Sequence, residues 1–250
     1  MQTVVNSLLT HYSAQGEGKT VVLLHGWADS LSTFSKLQKD LSKNYKVISL
    51  DLPGFGQSQA PLNTWDLDDY AVFVYDFLTK IEVEEVYALV GHSNGGAIAI
   101  RGLSTDKLKA ERLVLLASSG IRLKKSLRKY AFLAATKIGK VASLALPEKT
   151  RTKLRKKLYQ TAKSDMLAAE HLQETFKRVV TQDIQSDAKN LTLPTLLIYG
   201  QGDADTPVLF GVRLHRLIKS SELKILDGAG HFVHQDQPEE VAKLLEKFLQ

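Results

Sequence analysis

One serine stands in a sequence context that favours nucleophilic chemistry. Ser93 lies in the stretch GHSNGG at 91–96, between a predicted strand, Val86–Val90, and a predicted helix, Asn94–Leu103. This is a G-x-S-x-G pattern at a strand-to-helix turn, where glycines two positions before and after the serine permit a tight backbone. The N-terminus of a helix also favours negative charge that develops on the serine oxygen. We therefore predict that Ser93 is a nucleophile.

A serine hydroxyl is a weak nucleophile, so this prediction requires a base and a third group that orients the base. In this arrangement the expected chain order is serine, acid, histidine. Asp203 and His231 each lie a few residues after a predicted strand, and they follow Ser93 in that order. We predict that His231 is the base and Asp203 the acid. Asp205 competes with Asp203 for its role, and His234 competes with His231.

The same chemistry needs backbone N–H groups that bind the negatively charged oxygen of the tetrahedral intermediate. One should belong to Asn94, directly after the nucleophile, and the other to the loop HGW at 25–27, after the first buried strand. We predict the N–H of Trp27 as the second donor. Two preorganised donors of this kind lower the barrier by roughly 3–4 kcal/mol each. No metal ion and no organic cofactor is required.

Short apolar strands alternate with amphipathic helices along most of the chain. That alternation predicts an α/β fold, a mostly parallel sheet flanked by helices, in which ligands bind at the carboxyl ends of the strands. After an opening hairpin at 3–12, the predicted strands are Thr20–Leu24, Lys46–Leu50, Val86–Val90, Arg112–Leu116, Thr195–Tyr199 and Leu223–Leu226. The predicted helices are Thr33–Leu41, Asp66–Lys80, Asn94–Leu103, Val208–Ile218 and Pro238–Leu249.

Residues 120–186 interrupt this alternation. Three helices are predicted there: one over 127–145 with an apolar stripe, one that starts at Pro147, and one from Asp165 to Val180. From Ile121 to Gln185 the chain has 16 Lys and Arg against 5 Asp and Glu, whereas the rest of the chain has a small acidic excess. We predict a basic helical cap at 120–186 over a core formed by 1–119 and 187–250.

Five stretches together resemble the α/β-hydrolase superfamily over essentially the whole chain: HGW at 25–27, DLPGFGQS at 51–58, GHSNGG at 91–96, GQGDADTP at 200–207 and GHF at 230–232. The chain is similar to capped serine carboxylesterases, including the carboxylesterase of biotin synthesis. The resemblance implies the α/β-hydrolase fold and hydrolysis of esters, thioesters or lactones. It also favours Asp203 over Asp205, because the acid of the family is usually the third residue after the strand-end glycine.

Departures from other branches of the superfamily narrow the expected activity. Ser93 occupies the nucleophile position, where dehalogenases and epoxide hydrolases of the superfamily carry aspartate. Phe232 and Val233 follow His231, whereas many carbon–carbon-bond hydrolases of the family carry tryptophan there. Asn94 stands where proline iminopeptidases usually have tryptophan. These differences leave ester-type substrates as the expectation.

The composition fits an ordinary globular protein: 250 residues, 44% apolar and 24% charged. The chain has no cysteine, which excludes disulfide scaffolds, thiolate metal sites and a cysteine nucleophile. This absence is consistent with a reducing compartment, and the first residues lack the pattern of a secretory signal, so we predict a cytoplasmic protein. No segment reaches the ~18 apolar residues that a membrane span needs.

We therefore predict a serine hydrolase that cleaves carboxylic esters of small or medium acyl chain through a Ser-His-Asp triad and an acyl-enzyme. The net charge of +6 is concentrated in the cap, which is either a solvated surface or a surface for an anionic membrane or an acidic substrate. One alternative is a lipid, lysolipid, lactone or thioester hydrolase that acts at an anionic surface. Another is a non-catalytic ligand-binding receptor. Nucleic acid is disfavoured as a partner because no recognition motif accompanies the charge.

Overall fold

The computed structural model describes residues 1–122 and 169–250. In these ranges the strands are β1 (Gln2–Val5), β2 (Leu8–Gln15), β3 (Thr20–Leu24), β4 (Lys46–Leu50), β5 (Ala88–His92), β6 (Arg112–Leu116), β7 (Thr195–Gly200) and β8 (Ser221–Leu226). The α-helices are α1 (Ser35–Leu41), α2 (Leu67–Lys80), α3 (Asn94–Ser104), α4 (Gln173–Val179), α5 (Gln185–Asn190), α6 (Val208–Leu217), α7 (Val233–Asp236) and α8 (Pro238–Leu249). No helix within the described ranges is long and apolar enough to span a membrane.

The described strands form one sheet in the order β1-β2-β4-β3-β5-β6-β7-β8. The β1–β2 hairpin pairs antiparallel, and β2 also pairs antiparallel with β4, whereas all pairs from β4 to β8 are parallel. Parallel pairing brings the carboxyl ends of β3 to β8 to one edge of the sheet. The predicted α/β class, with its mostly parallel sheet and flanking helices, is confirmed.

Apolar side chains of the strands divide between two cores because successive residues of a strand point to opposite faces. In β3, Val22 and Leu24 belong to one core, and Val21 and Leu23 belong to the other. The first core is covered by residues of α2, α3, α4, α5 and α6, and the second by residues of α1, α7 and α8. Strands buried on both faces explain the continuous apolar runs in the sequence.

The helix α2 begins where the sequence predicts it, because Asp66 caps it. The Asp66 carboxylate accepts hydrogen bonds from the backbone N–H groups of Asp68 and Asp69, and the Asp69 side chain accepts one from the Asp66 N–H. Seven apolar residues at helical spacing then form the buried face of α2: Leu67, Tyr70, Ala71, Phe73, Val74, Phe77 and Leu78.

Most of the predicted cap lies outside the described residues, including its first two helices and the start of the third. The part from 169 onward rests on the core: the Thr175 hydroxyl accepts from the Trp65 N–H at 3.1 Å, and the Gln182 side chain accepts from the Leu67 N–H at 2.8 Å. A 3₁₀ turn at Glu170–Leu172 precedes α4. The helix α5, absent from the sequence prediction, spans the predicted boundary between 186 and 187.

The sheet and α3 meet in a turn that only small residues can form. A Cβ atom on Gly95 would lie 2.1 Å from the Leu24 carbonyl oxygen, and one on Gly91 would lie 2.5 Å from the Gly96 Cα. The strand β5 runs to His92, two residues beyond the predicted end, because its pairing with β6 continues to His92 opposite Leu116. The turn therefore starts directly at the edge of the sheet.

We expect Gly95→Ala to lower the free energy of unfolding by about 2–3 kcal/mol, because the new methyl group must displace the backbone of β3. Gly230→Ala is a matched control, since a Cβ there would have its nearest neighbour, Asp236 Oδ2, at 3.5 Å. For Gly230→Ala we expect a change of less than about 1 kcal/mol. Urea denaturation followed by circular dichroism measures both. Equal losses in the two variants would contradict this description of the turn.

Candidate active site

Ser93 occupies a strained backbone position between β5 and α3. Its φ of 50° and ψ of −113° lie where non-glycine residues are rare, at a typical cost of about 1–3 kcal/mol. Hydrogen bonds hold it there: the Ser93 N–H donates to the Leu116 carbonyl at 3.0 Å, and the Ser93 carbonyl accepts from the Ser119 N–H at 3.0 Å. This is the geometry expected for an exposed nucleophile at a strand-to-helix turn.

Asp203 and His231 meet in a hydrogen bond. His231 Nδ1 lies 2.9 Å from Asp203 Oδ2, and the carboxylate is fully buried, while the imidazole is partly exposed. The other carboxylate oxygen, Oδ1, accepts from the backbone N–H groups of Asp205 and Thr206 at 2.8 and 2.9 Å. Thr206 Oγ1 is 2.7 Å from Oδ2. Every oxygen of the carboxylate therefore has partners.

These partners keep the Asp203 carboxylate ionised. Burial by itself raises the pKa of Asp203, but the hydrogen bonds from His231 and Thr206 and the charge of His231 oppose it, and the net pKa is below its ordinary value. Since a carboxylate only accepts hydrogen bonds, Nδ1 of His231 carries a proton in this pair. The other ring nitrogen, Nε2, then has its lone pair available as a base.

Ser93 and His231 line the same cavity, which has a volume of about 210 Å³. Trp27 and Asn94 also line it, so the cavity brings together four of the five residues predicted from the sequence, and Asp203 lies directly behind His231. In the described part of the chain, no hydrogen bond yet joins the Ser93 hydroxyl to the His231 ring. Catalytic hydrogen bonds are often long before substrate binds.

The backbone N–H groups of Trp27 and Asn94 donate to no other residue within the described ranges. Free N–H groups at a helix N-terminus and at the adjacent loop are able to bind an oxyanion. His25 fixes this loop: its Nε2 accepts from the Leu52 N–H at 2.9 Å, and its Nδ1 donates to the Gly26 carbonyl at 2.7 Å. Complete burial lowers the pKa of His25, which is consistent with a neutral ring.

The Trp27 indole forms part of the apolar wall. Its ring centroid lies 4.9 Å from that of Phe55 in an edge-to-face contact and 5.1 Å from that of Phe176, a residue of α4. The apolar wall of the cavity also includes Leu67, Ala97, Ile121, Val179, Val180 and Phe210. The polar members of the lining are Ser93, Asn94, Ser119, Arg122, Asp205, Thr206 and His231.

Asp205, which competes with Asp203 in the sequence, lies beside the cavity without a hydrogen bond to His231 in the described structure. Asp205 is exposed and lines the cavity, but the carboxylate hydrogen-bonded to His231 belongs to Asp203. One atom from each of Asp203, Asp205 and His231 lies within 4.8 Å of the others, a spacing that a metal ion can bridge. Asp203 and His231 already share a hydrogen bond that a metal ion would have to break, so we assign no metal to these residues.

His234 is buried away from Asp203. Its Nε2 lies 3.0 Å from Thr33 Oγ1, and its ring contacts Phe34 at a centroid distance of 4.9 Å. Burial, reinforced by the nearby charge of His231, lowers the pKa of His234 to about 3. A ring with this pKa remains neutral at physiological pH and is held by Thr33 as part of the core.

Sequence reasoning missed Thr206 and His25. Both are polar residues in the same loops as predicted site residues, His25 two positions before Trp27 and Thr206 three positions after Asp203. Their roles depend on contacts with Leu52 and Ala117, which are distant in sequence. Thr206 Oγ1 lies 2.9 Å from the Ala117 carbonyl and 2.7 Å from Asp203 Oδ2, so it connects the acid to the end of β6. Only the positions of these residues within the motif loops could have drawn attention to them.

We expect Thr206→Val to lower the free energy of unfolding by about 1–3 kcal/mol. Valine preserves the shape of threonine but removes the hydroxyl, so the single O–H donor that lies between two buried acceptors, Asp203 Oδ2 and the Ala117 carbonyl, is lost. Thr206→Ser retains the hydroxyl and should preserve most of the stability. Urea denaturation of the two variants is the test, and equal stability of the wild type and Thr206→Val would refute the role assigned to this hydroxyl.

The low pKa of His234 predicts a pH dependence of stability. Its folded pKa of about 3 is below the ordinary value of about 6.5, so between these values the unfolded chain binds a proton that the folded protein excludes. Stability is therefore lost as the pH falls through this window. From pH 7 to pH 5 the ring accounts for a loss of roughly 2 kcal/mol.

We expect His234→Gln to remove the part of the acid-induced loss of stability that His234 causes. Glutamine does not titrate, and its side chain can still form a hydrogen bond with the Thr33 hydroxyl. Denaturation curves at pH 7 and pH 5 should show a smaller acid-induced loss for His234→Gln than for the wild type. An unchanged loss would mean that His234 is protonated in the folded protein.

Comparison with known proteins identifies relatives that cover nearly the whole chain. Residues 21–244 match the family model described as the alpha/beta hydrolase family. The uncharacterized hydrolase YugF of Bacillus subtilis is 28% identical over 263 residues, which cover 98% of this chain and 94% of YugF. The 2-hydroxy-6-oxo-2,4-heptadienoate hydrolase of Pseudomonas putida is 24% identical over 94% of this chain and 90% of its own length.

A solved structure shares the fold. The enol-lactonase of Burkholderia xenovorans LB400 superimposes with a TM-score of 0.77 at 20% sequence identity, covering 100% of this chain and 99% of the enzyme. Because the family model matches nearly the whole chain and the parallel sheet, the strained serine turn and the loops at the strand ends are all present, this chain belongs to the alpha/beta hydrolase family.

Proposed function

We propose that this alpha/beta hydrolase is a serine hydrolase that cleaves carboxylic esters of small or medium acyl chain. The observation that carries the proposal is the cavity in which Ser93 and His231 face the same space, with His231 hydrogen-bonded to the buried Asp203. A nucleophile, a base and an orienting acid in this arrangement are the parts that acyl transfer requires.

In the proposed mechanism His231 Nε2 accepts the proton of the Ser93 hydroxyl as the oxygen attacks the ester carbonyl carbon. Asp203 remains ionised throughout, holds the ring by its Nδ1–H, and stabilises the imidazolium that forms. The lowered pKa of Asp203 supports this role, since the acid is a carboxylate at neutral pH. The Ser93 hydroxyl and the ring close to hydrogen-bond distance when substrate fills the cavity.

The tetrahedral intermediate places its negative oxygen against the backbone N–H groups of Trp27 and Asn94. As the intermediate collapses, the carbon–oxygen bond to the alcohol breaks, and His231 Nε2 gives its proton to the departing oxygen. Water then gives a proton to His231 and attacks the acyl group on Ser93, and the same steps release the carboxylic acid and restore the serine. The acyl-enzyme needs no group beyond these side chains.

The size and lining of the cavity support short or medium acyl chains. Its volume of about 210 Å³ is below the roughly 300–1,000 Å³ of sites that hold drug-sized ligands. Much of the lining is apolar, with Trp27, Phe176 and Phe210 among its members. An acyl chain of a few carbons fits this combination of shape and polarity.

We expect the wild type to hydrolyse short p-nitrophenyl esters and Ser93→Ala to lose at least about 10³-fold in kcat. A fluorophosphonate should label the wild type at Ser93, as read by mass spectrometry of the labelled peptide. The substrate panel includes a lactone and 2-hydroxy-6-oxo-2,4-heptadienoate, the substrate in the name of the Pseudomonas putida relative. If either compound is turned over faster than every p-nitrophenyl ester, the proposed ester specificity is wrong and that compound represents the preferred substrate class.

A matched pair of variants tests the acid. Asp203→Asn should lower kcat by about 10²–10⁴-fold because the ring of His231 loses its charged partner, whereas Asp205→Asn should cost less than about tenfold. The reverse order would transfer the role to Asp205. If the wild type neither turns over any compound of the panel nor reacts with the fluorophosphonate, the enzyme proposal fails and a ligand-binding role replaces it.

A further inference from the structure

His92, the residue directly before Ser93, has a fully buried side chain at the back of the site. It is absent from the described wall of the cavity, so it does not face the substrate. Its ring centroid lies 4.9 Å from that of His231, 5.0 Å from Phe232 and 4.8 Å from His234. The ring is thus packed against the segment that carries His231.

One polar contact of His92 joins the turn at Ser93 to the backbone of His231. His92 Nε2 lies 3.0 Å from the backbone carbonyl oxygen of His231. A carbonyl oxygen only accepts hydrogen bonds, so Nε2 must carry the proton, and Nδ1 of the neutral ring has a lone pair instead. Burial, together with the charges of His234 and His231, lowers the pKa of His92 well below its ordinary value, which agrees with a neutral ring.

The Nδ1 edge of the same ring faces the loop that carries the predicted oxyanion donor. A Cβ atom on Gly26 would lie 3.0 Å from His92 Nδ1 and 3.2 Å from the Ser93 Cβ. Within the described residues Nδ1 has no hydrogen-bond partner although it is buried. An unpaired buried acceptor costs stability, so packing alone would be served better by an apolar side chain of similar size.

We propose that His92 is a positioning residue that fixes the distance between Ser93 and His231 by donating a hydrogen bond from Nε2 to the His231 carbonyl. The donor is on the residue adjacent to the nucleophile and the acceptor is on the backbone of the base, so this hydrogen bond links the two residues whose side chains must exchange a proton. Gly26 lies against the same ring, so the loop at 25–27, which carries the predicted oxyanion donor Trp27, packs on His92 as well.

This inference rests on the proposed function for its kinetic consequence. A shift of about 1 Å between reacting groups can cost about 10²-fold in rate, and the bond holds the ring of His231 without contacting the substrate. Loss of the bond should therefore lower kcat and leave KM nearly unchanged.

Three substitutions separate the hydrogen bond from packing. His92→Gln can present an amide N–H near the place of Nε2, whereas His92→Leu fills the space without a donor, and His92→Asn has a donor that is too short to reach. We expect kcat for the best ester to fall about 10–100-fold in His92→Leu and His92→Asn, and less than about fivefold in His92→Gln. KM should change less than threefold in all of them.

Leu245→Ala serves as a stability control, because Leu245 is a fully buried residue of α8 in the second core and neither lines the described cavity nor takes part in the His92 contacts. If it lowers the melting temperature as much as His92→Leu but keeps kcat, the loss in His92→Leu is not a consequence of general destabilisation. Equal kcat in His92→Gln, His92→Leu and His92→Asn would overturn the proposal, because the donor would then be irrelevant.

A measurement without turnover separates this inference from the proposed function. In the ¹⁵N NMR spectrum of the wild type with labelled histidine, His92 should keep a protonated Nε2 and an unprotonated Nδ1 from pH 5 to pH 9. The His231 resonances should broaden or shift in His92→Leu and remain near their wild-type positions in His92→Gln. A protonated Nδ1 on His92, or unchanged His231 signals in His92→Leu, would refute the positioning role whether or not the protein hydrolyses esters.

Discussion

The backbone at Ser93 is the constraint on which the rest of the site depends. A serine with a φ of 50° is unfavourable in isolation, and it persists because hydrogen bonds to Leu116 and Ser119 fix it from both sides. The close approach of Gly95 to the Leu24 carbonyl lets α3 begin directly at the end of the sheet. The strained turn thereby aims a hydroxyl into the cavity and leaves the N–H of Asn94 free beside it.

Four histidines lie around this turn, and they differ in their burial. His25, His92 and His234 are buried, and burial lowers the pKa of each, so they remain neutral and act through directed hydrogen bonds. His231 is partly exposed and is the one of the four that contacts a carboxylate in the described structure. Histidine thus has two uses here. Three neutral histidines act as fixed hydrogen-bonding groups, and in the proposed mechanism the fourth, His231, carries the proton.

Much of the fold could be predicted because its signals are local. Apolar β-branched runs identify strands such as β3, and Asp66 identifies the start of α2 by its capping pattern. The helices α5 and α7 were missed because six and four residues give too short a periodic pattern. For the candidate site, motif order favours Ser93 and His231, and the family resemblance favours Asp203 over Asp205. Residue types and spacing alone do not separate the two aspartates.

The sequence by itself determined the α/β class, the glycine-framed turn at Ser93 and the place of each loop at a strand end, because these depend on backbone sterics and on the period of apolar residues. Only the tertiary structure decided that Asp203 rather than Asp205 contacts His231, that Thr206 ties the acid to β6, and that His92 spans from Ser93 to the His231 carbonyl. Such contacts join residues that are up to 139 positions apart. Their formation is governed by hydrogen-bond geometry of a few tenths of an ångström, which residue types and spacing do not encode.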